Sequence, residues 1–319
     1  MFRLRLVPSN TRFPFLRYRV VCIAASVVFG AVSIVLAIWP GLSMGVDFRG
    51  GVTIEARSLS GPADLGALRA SLGGIGGGDV TLQEFGSRND VLIRIGSASE
   101  SEDALRAAAE KVKETLGAKF EFRRVEFVGP QVSSELIQSA IWAVVLGLLA
   151  MMVYVWFRFE WQFSIGTIAS LVHDVLLTVG LLAITRYDFN LSQIAAILTI
   201  IGYSMNDTVV VFDRVRENLR KWRKMPLDEL LDLSINETLS RTMMTSMTTL
   251  LALIPLYFFG GDAIEGFAFT MIWGVFVGTY SSIFIAAPIL IYLDLDKKRE
   301  QWAREADAAA LPAAKAEKP

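Results

Sequence analysis

The sequence predicts a polytopic α-helical membrane protein, six transmembrane helices with an α+β domain of βαββαβ order inserted between helices 1 and 2. Three observations predict it. The 319 residues are 53% hydrophobic with a mean hydropathy of +0.46, too apolar for an ordinary globular domain. Six apolar runs of bilayer-crossing length divide the chain. The interval 40–131 has no such run and is charged and Gly-rich.

The chain starts basic, with Arg3, Arg5, Arg12, Arg17 and Arg19 and no acidic residue among them. Residues 20–39 form the first apolar run. A basic start followed by an apolar run also describes a signal peptide, but this core is too long and Ile38-Trp39-Pro40 is a poor cleavage site. Residues 1–39 are therefore read as the N-terminus and a retained first span.

Within 40–131, residues 52–57 alternate as a strand, and 63–72 form a short helix opened by Pro62. A flexible Gly-rich loop, 73–78, follows. Residues 80–85 and 91–95 read as strands joined by the turn-rich Ser87-Arg88-Asn89-Asp90. Residues 102–116 form the strongest helix, with Ser101 as N-cap and Gly117 as stop. Residues 120–128 close the set, apolar at Phe120 and Phe122, then at Val125 and Phe127 after a break at Arg123-Arg124. This order is the ferredoxin-like arrangement, which by itself decides no function.

Five spans follow within 132–295, at about 136–157, 163–184, 191–212, 243–259 and 267–293. Arg214, Arg216, Arg220, Lys221, Arg223 and Lys224 crowd the helix-rich loop 213–241, and Lys297, Lys298 and Arg299 open the tail, 296–319. The positive-inside rule puts both termini and that loop in the cytoplasm and the 40–131 domain outside. Residues 303–319 read as disordered.

Composition also excludes chemistry. Cys22 is the only cysteine and His173 the only histidine, so no internal disulfide, thiolate cluster or multi-His metal site is expected. No Gly-x4-Gly-Lys-Ser/Thr loop and no nucleophile–base pair is present. The expectation is no enzyme, no cofactor beyond protons, no metal and no nucleic-acid partner. A net charge of −1 adds nothing about partners.

The chain is organised around residues 202–214, where Asn206 and Asp207 interrupt an apolar run. A carboxylate at membrane depth costs ~3 kcal/mol or more and usually serves a function. The plainer alternative places Asp207 close enough to the membrane surface to reach headgroup water. Ser204, Asp207, Thr208 and Val211 share a helical face, and in the fifth span Arg241, Thr245, Thr248 and Thr249 do the same. Asp207 and Arg241 are expected on the same side of the membrane, where they can pair. A carboxylate balanced between a cation and an apolar surrounding exchanges its proton on modest movement, which is the chemistry of proton conduction. Arg241 can instead be a positive-inside anchor, and the threonines can bond back to their own helix. His173-Asp174 in the third span is either a relay member or an interhelical brace. Gly274, Gly278, Ser281 and Ser282 suit close packing in the last span, and Pro255 is expected to kink the fifth. Asp213 reads as a headgroup-boundary residue near Arg214 and Arg216.

Several motifs then combine. They are Gly45-Val46-Asp47-Phe48-Arg49-Gly50-Gly51, Val128-Gly129-Pro130, His173-Asp174-Val175, Ser204-Met205-Asn206-Asp207-Thr208, Arg214-Val215-Arg216-Glu217-Asn218 and the run from Arg241 to Thr249. Together, in order and spacing, they resemble the SecF-type subunits of the SecD–SecF family of protein-translocation accessory proteins, within the resistance–nodulation–division superfamily. The resemblance implies a multi-pass protein of the bacterial inner membrane that helps draw unfolded preproteins through the SecYEG channel, driven by the proton motive force. It implies proton passage at Asp207 and Arg241, and the polar pattern of the spans themselves adds Ser204, Asn206, Thr208, Thr245, Thr248, His173 and Asp174 as a supporting face. It gives Asp47, Arg49, Gly50, Gly51, Gly129, Pro130 and Asp213 structural places in the family motifs. The family's working unit has twelve spans, so a six-span SecD partner is implied, with YajC-type and insertase subunits as further company. Two other classes stay open: a non-conducting stabiliser of the translocon, and half of a proton-driven solute exporter, which the small 40–131 domain disfavours.

Overall fold

The computed structural model describes residues 11–75, 80–85, 87–96, 102–293 and 295. The expectations for Arg3 and Arg5, for part of the 73–78 loop, for the Ser101 cap and for the 303–319 tail lie outside the described residues.

Among the described residues, six helical segments are long and apolar enough to cross a membrane, one for each apolar run of the sequence. They are built from α1 (Arg19–Leu36), α5 (Pro130–Arg158), α6 (Trp161–Thr185), α7 (Leu191–Lys221), α8 (Leu227–Phe259) and α9 (Asp262–Ser281). A wide turn, Ser282–Ala286, carries α9 into α10 (Ala287–Tyr292). Helices α6, α7 and α9 form the interior, where Phe163 and Phe212 pack edge to face at 5.1 Å and Leu182, Ile200 and Ile201 are almost wholly buried.

Two helices outrun the expectation. The helix-rich loop expected at 213–241 is the continuation of α7 to Lys221 and the start of α8 at Leu227, joined by a short turn. The extensions are amphipathic: Val215, Leu219, Leu227, Leu230, Leu231 and Ile235 are buried while the intervening charges face outward. An apolar run marks only the part of a helix that is greasy all round, so such ends escape it. Pro255 lies inside α8, near its end.

The inserted domain follows two short elements, β1 (Ser43–Met44) and α2 (Val46–Arg49). Its elements are β2 (Gly51–Ser58), α3 (Leu65–Leu72), β3 (Val80–Phe85), β4 (Ser87–Gly96), α4 (Glu102–Leu116) and β5 (Phe120–Val128). The four strands pair antiparallel in the order β3-β4-β2-β5. Helices α3 and α4 pack on one face through a core of Val52, Ile54, Leu72, Ile93 and Val112. Asp64 rather than Pro62 sets the start of α3, accepting from the amides of Gly66 and Ala67 at 2.9 and 3.1 Å. The break at Arg123-Arg124 is a bulge: Glu55 pairs with Arg124 and Ala56 with Phe122.

The expected turn at 87–90 is strand instead. β4 begins at Ser87 and Asp90 stands opposite Arg57. Asp90 there accepts two bonds from Arg57, at 2.7 and 2.8 Å, and one from Ser87 at 2.7 Å. These partners hold its carboxyl at about 2, below the usual carboxylate range. The polar residues that suggested a turn are spent on this cross-strand lock.

Gly51 shows why the 45–51 motif ends in glycine. Its φ is +125°, and a Cβ there would lie 2.3 Å from the Ile95 carbonyl oxygen.

A clasp joins the domain to the bundle. β1 pairs in parallel with β6 (Asp188–Phe189), the strand that precedes α7. The Gly45 amide donates to the Phe189 carbonyl at 2.9 Å, and the Leu191 amide donates to Asp47 Oδ2 at 2.9 Å. Arg94 of β4 forms an ion pair with Asp188.

Candidate functional site

Helical spacing decides which polar residues of α7 face inward. Ser204, Asp207, Thr208 and Val211 are all buried, as the i, i+3, i+4, i+7 pattern requires. Asn206, next in the chain to Asp207, is exposed. It therefore does not join the expected polar face.

Asp207 is 1% exposed. Its Oδ1 lies 3.3 Å from the Thr245 hydroxyl of α8, and its Oδ2 is buried with no hydrogen-bond partner among the described residues. Arg241 lies one turn before Thr245 but is exposed, and it forms no ion pair with Asp207 among the described residues. The pair expected from the sequence is not closed; an exposed guanidinium on a flexible stem keeps its own hydration. Thr248 is exposed, and its hydroxyl turns back to the Met244 and Thr245 carbonyls, 2.9 Å each.

A second polar centre lies between α6, α7 and α9. Asp174 is fully buried. Its Oδ2 accepts from Ser204 at 2.5 Å and from Ser281 at 2.8 Å, and its Oδ1 lies 2.9 Å from His173 Nδ1. His173 Nε2 is buried without a partner among the described residues. Ser204 thus bonds Asp174 and precedes Asp207 by one helical turn, without bonding it among the described residues.

The sequence reading gave no site role to the hydroxyls that complete this interior. Tyr203 Oη donates to Ser246, whose Oγ lies 2.8 Å from Thr279 Oγ1. Nearer the domain, Thr270 donates to Gln193 Oε1 at 2.7 Å. The signal that finds Thr270 is spacing, since Thr270, Gly274, Gly278 and Ser281 recur three and four apart.

The remaining motif residues hold ends rather than interior. At the end of the bundle away from the domain, Asp213 pairs with Arg158 through two contacts of 2.8 and 3.0 Å, not with Arg214 or Arg216. Arg214 bonds Glu217 and Glu237, and Arg216 pairs with Glu160. Asn218 reaches Ser234 and Glu237, fastening α7 to α8. At the domain end, Asp47 holds the first amide of α7, Arg49 is exposed and Gly50 and Gly51 are buried. Gly129 is the N-cap of α5 and Pro130 its first residue.

Between the sheet and the helix ends lies a polar cavity of about 500 Å³, lined in part by Glu55, Arg94, Arg124, Glu126, Gln193 and Glu265. Tyr187 at its edge donates to Glu265 at 2.7 Å; burial and that acceptor push its phenol up. Among the described residues no group of three His, Cys, Asp or Glu side chains is placed to hold a metal ion. The chemistry this interior can carry is the holding and passing of a proton among carboxylates and hydroxyls.

Comparison with known proteins places these motifs. A family model described as protein export membrane protein SecD/SecF, C-terminal, matches residues 108–296. A protein translocase subunit SecF from Rickettsia felis is 48% identical over 297 residues, covering 91% of this chain and 94% of the relative. The subunit of the same description from Rhodobacter capsulatus is 46% identical, covering 94% of each. Among solved structures, the crystal structure of SecDF, a translocon-associated membrane protein from Thermus thermophilus, superposes with a TM-score of 0.81 at 34% identity over 90% of this chain. SecDF in a super-membrane-facing form gives 0.69 at 32% identity over 95%. This chain spans only 39% and 41% of those two longer chains.

Proposed function

The chain belongs to the SecF branch of the SecD/SecF protein-export family, and on that premise we propose that it is the SecF half of a proton-driven accessory motor for preprotein export. It is a multi-pass membrane protein of the protein-translocation machinery. Its partner in this reading is a SecD subunit supplying the other six spans, in keeping with the part of each SecDF chain it matches. The pair acts on an unfolded preprotein at the SecYEG channel, with the proton as the only coupling species and no catalytic centre in this chain. Both termini lie in the cytoplasm. The 40–131 domain lies outside the inner membrane as a ferredoxin-like unit, a reading supported by its antiparallel β3-β4-β2-β5 order.

The observation that carries the reading is Asp207: a carboxylate in the middle of an apolar helix, 1% exposed, with one oxygen unpartnered among the described residues. A group held this way gains or loses a proton when a neighbouring helix moves, and the membrane potential supplies ~2.3 kcal/mol per charge per 100 mV to drive that change. A scaffold needs no such group.

The test is preprotein export in inverted inner-membrane vesicles in which Asp207→Asn replaces the native chain. Asparagine keeps shape and hydrogen bonding and cannot ionise. The expected result is normal assembly with SecD and loss of the force-dependent part of export. Export at the native rate transfers the chain to the class of structural stabilisers.

A further inference from the structure

We propose that Asp174 is a second proton-carrying carboxylate of this chain, lying before Asp207 on the route and joined to it through the Ser204 hydroxyl. The proposal rests on the proton-coupled reading above and deepens it.

The groups around Asp174 are His173 on its own helix, Ser204 from α7 and Ser281 from α9. Tyr280 of α9 stands beside His173, with ring centroids 6.0 Å apart, and is itself bonded to Ser26 and the Cys22 carbonyl of α1. The nearest carboxylate along α7 is Asp207. Among the described residues no Lys or Arg pairs with Asp174. Every direct partner is thus a group that can donate or accept: two hydroxyls, and an imidazole whose role at Nδ1 follows its tautomer. An ionised Asp174 is met by two hydroxyl donors and, in the Nδ1–H tautomer, by the His173 ring as a third. A protonated Asp174 is met by the same atoms in the same places, once one hydroxyl rotates or the ring changes tautomer. A brace built on Arg or Lys is donor-only and favours one state. This site fits both.

Geometry then links it to Asp207. Ser204 and Asp207 are three residues apart on one buried face of α7, about 4.5 Å along the axis. α7 starts at the domain end, so Ser204 and Asp174 lie on the domain side of Asp207. Asp207 Oδ2 is buried and bonds neither Ser204 nor any other group among the described residues, so the hand-over takes a movement that brings the Ser204 hydroxyl onto it. Gly278 of α9 is pressed against Ser204: a Cβ there would lie 3.0 Å from Ser204 Cβ. Small movements of α9 therefore act directly on the hydroxyl.

The step balances as a hand-over. The O–H bond at Asp174 breaks and one forms at Ser204 Oγ, while the original Ser204 O–H breaks and one forms at Asp207 Oδ2. The negative charge moves from Asp207 to Asp174. His173, whose Nε2 has no partner among the described residues, is placed to reload Asp174 through Nδ1.

The experiment measures proton uptake by proteoliposomes holding the complex of this chain with its SecD partner, under an imposed proton gradient. Asp174→Asn, Asp207→Asn, Ser204→Ala and Ser281→Ala are compared, with assembly of each checked by co-purification. Asp174→Asn is expected to assemble and to lose at least about tenfold in flux, a barrier change of ~1.4 kcal/mol. Ser204→Ala is expected to lose about tenfold more than Ser281→Ala, because only Ser204 lies on the route. A brace is held by both serines alike and loses equally from either. Near-native flux in Asp174→Asn alongside lost flux in Asp207→Asn overturns the proposal and leaves the proton-motor reading standing. Near-native flux in both removes the two together. Should Asp174→Asn fail to assemble, the serine pair decides: equal losses overturn the proposal.

Discussion

Thr245 reaches Asp207 from the neighbouring helix, its hydroxyl 3.3 Å from Oδ1, and it is the only side chain bonded to that carboxylate among the described residues. The same hydroxyl also lies 2.8 Å from the Thr242 carbonyl of its own helix. Thr245 therefore has two uses for one proton, and the state of Asp207 decides between them.

Thr245→Val keeps volume and branching and removes the hydroxyl. A hydrogen bond to a charged group contributes ~1.5–3 kcal/mol, so the ionised state of Asp207 loses about that much support. Force-dependent export is expected to fall about tenfold with assembly intact, while Thr245→Ser retains most of it. Export kinetics in vesicles at fixed proton motive force provide the check.

Gly51→Ala tests the end of the 45–51 motif. The new Cβ would lie 2.3 Å from the Ile95 carbonyl oxygen, at a φ of +125°. Both the backbone conformation and the β2–β4 ladder are strained, at a cost of ~1–3 kcal/mol. A lowered unfolding midpoint of the domain in the full chain, with the helical signal of the bundle retained, is the expected outcome. An unchanged midpoint would show that the sheet can absorb the side chain.

Asp90 gives the domain an acid limit. Its carboxyl is held at about 2 by the Arg57 bonds against an unfolded value of 3.8. In acid the unfolded chain thus binds the proton more readily than the folded one. The stabilisation is complete above the unfolded value and is lost as pH falls toward about 2. Asp90→Asn is expected to lower domain stability at neutral pH and to flatten its dependence between pH 4 and 2. Thermal unfolding of the full chain across that range measures both.

Arg94→Ala and Asp188→Ala address the ion pair between domain and bundle. Both side chains are largely but not wholly buried, so a coupling of about 1 kcal/mol is expected from the double-mutant cycle. A coupling near zero, or no partial rescue by the charge-reversed pair, would show that the contact contributes nothing to the join.

Sequence and structure agree where one physical signal acts alone. The six spans were legible because burial in lipid demands unbroken apolar runs, and the inward face of Ser204, Asp207 and Thr208 followed from helical spacing. The misses share a cause: polar residues serve several ends. Asp90 and Ser87 read as turn formers yet lock a strand. The charges of 213–241 read as a helix-rich loop, and they decorate the outer face of two helices joined by a short turn. Asn206 neighbours Asp207 in the chain but not on the helix face, because one residue turns a helix by about 100°. The sequence marks His173-Asp174 as a relay member or an interhelical brace; which hydroxyls of α7 and α9 it meets depends on three helices coming together, and no one-dimensional pattern states that meeting.

The paired arms β1 and β6 have a mechanical meaning. Asp47, just ahead of β2, bonds the amide of Leu191, where α7 begins. The first link of the domain and the first turn of α7 are thus one hydrogen-bonded piece. A load on the domain does not run out in a slack joint after α1. It passes along the axis of α7, so the lever that feels a pull on the domain is the helix that carries Ser204 and Asp207.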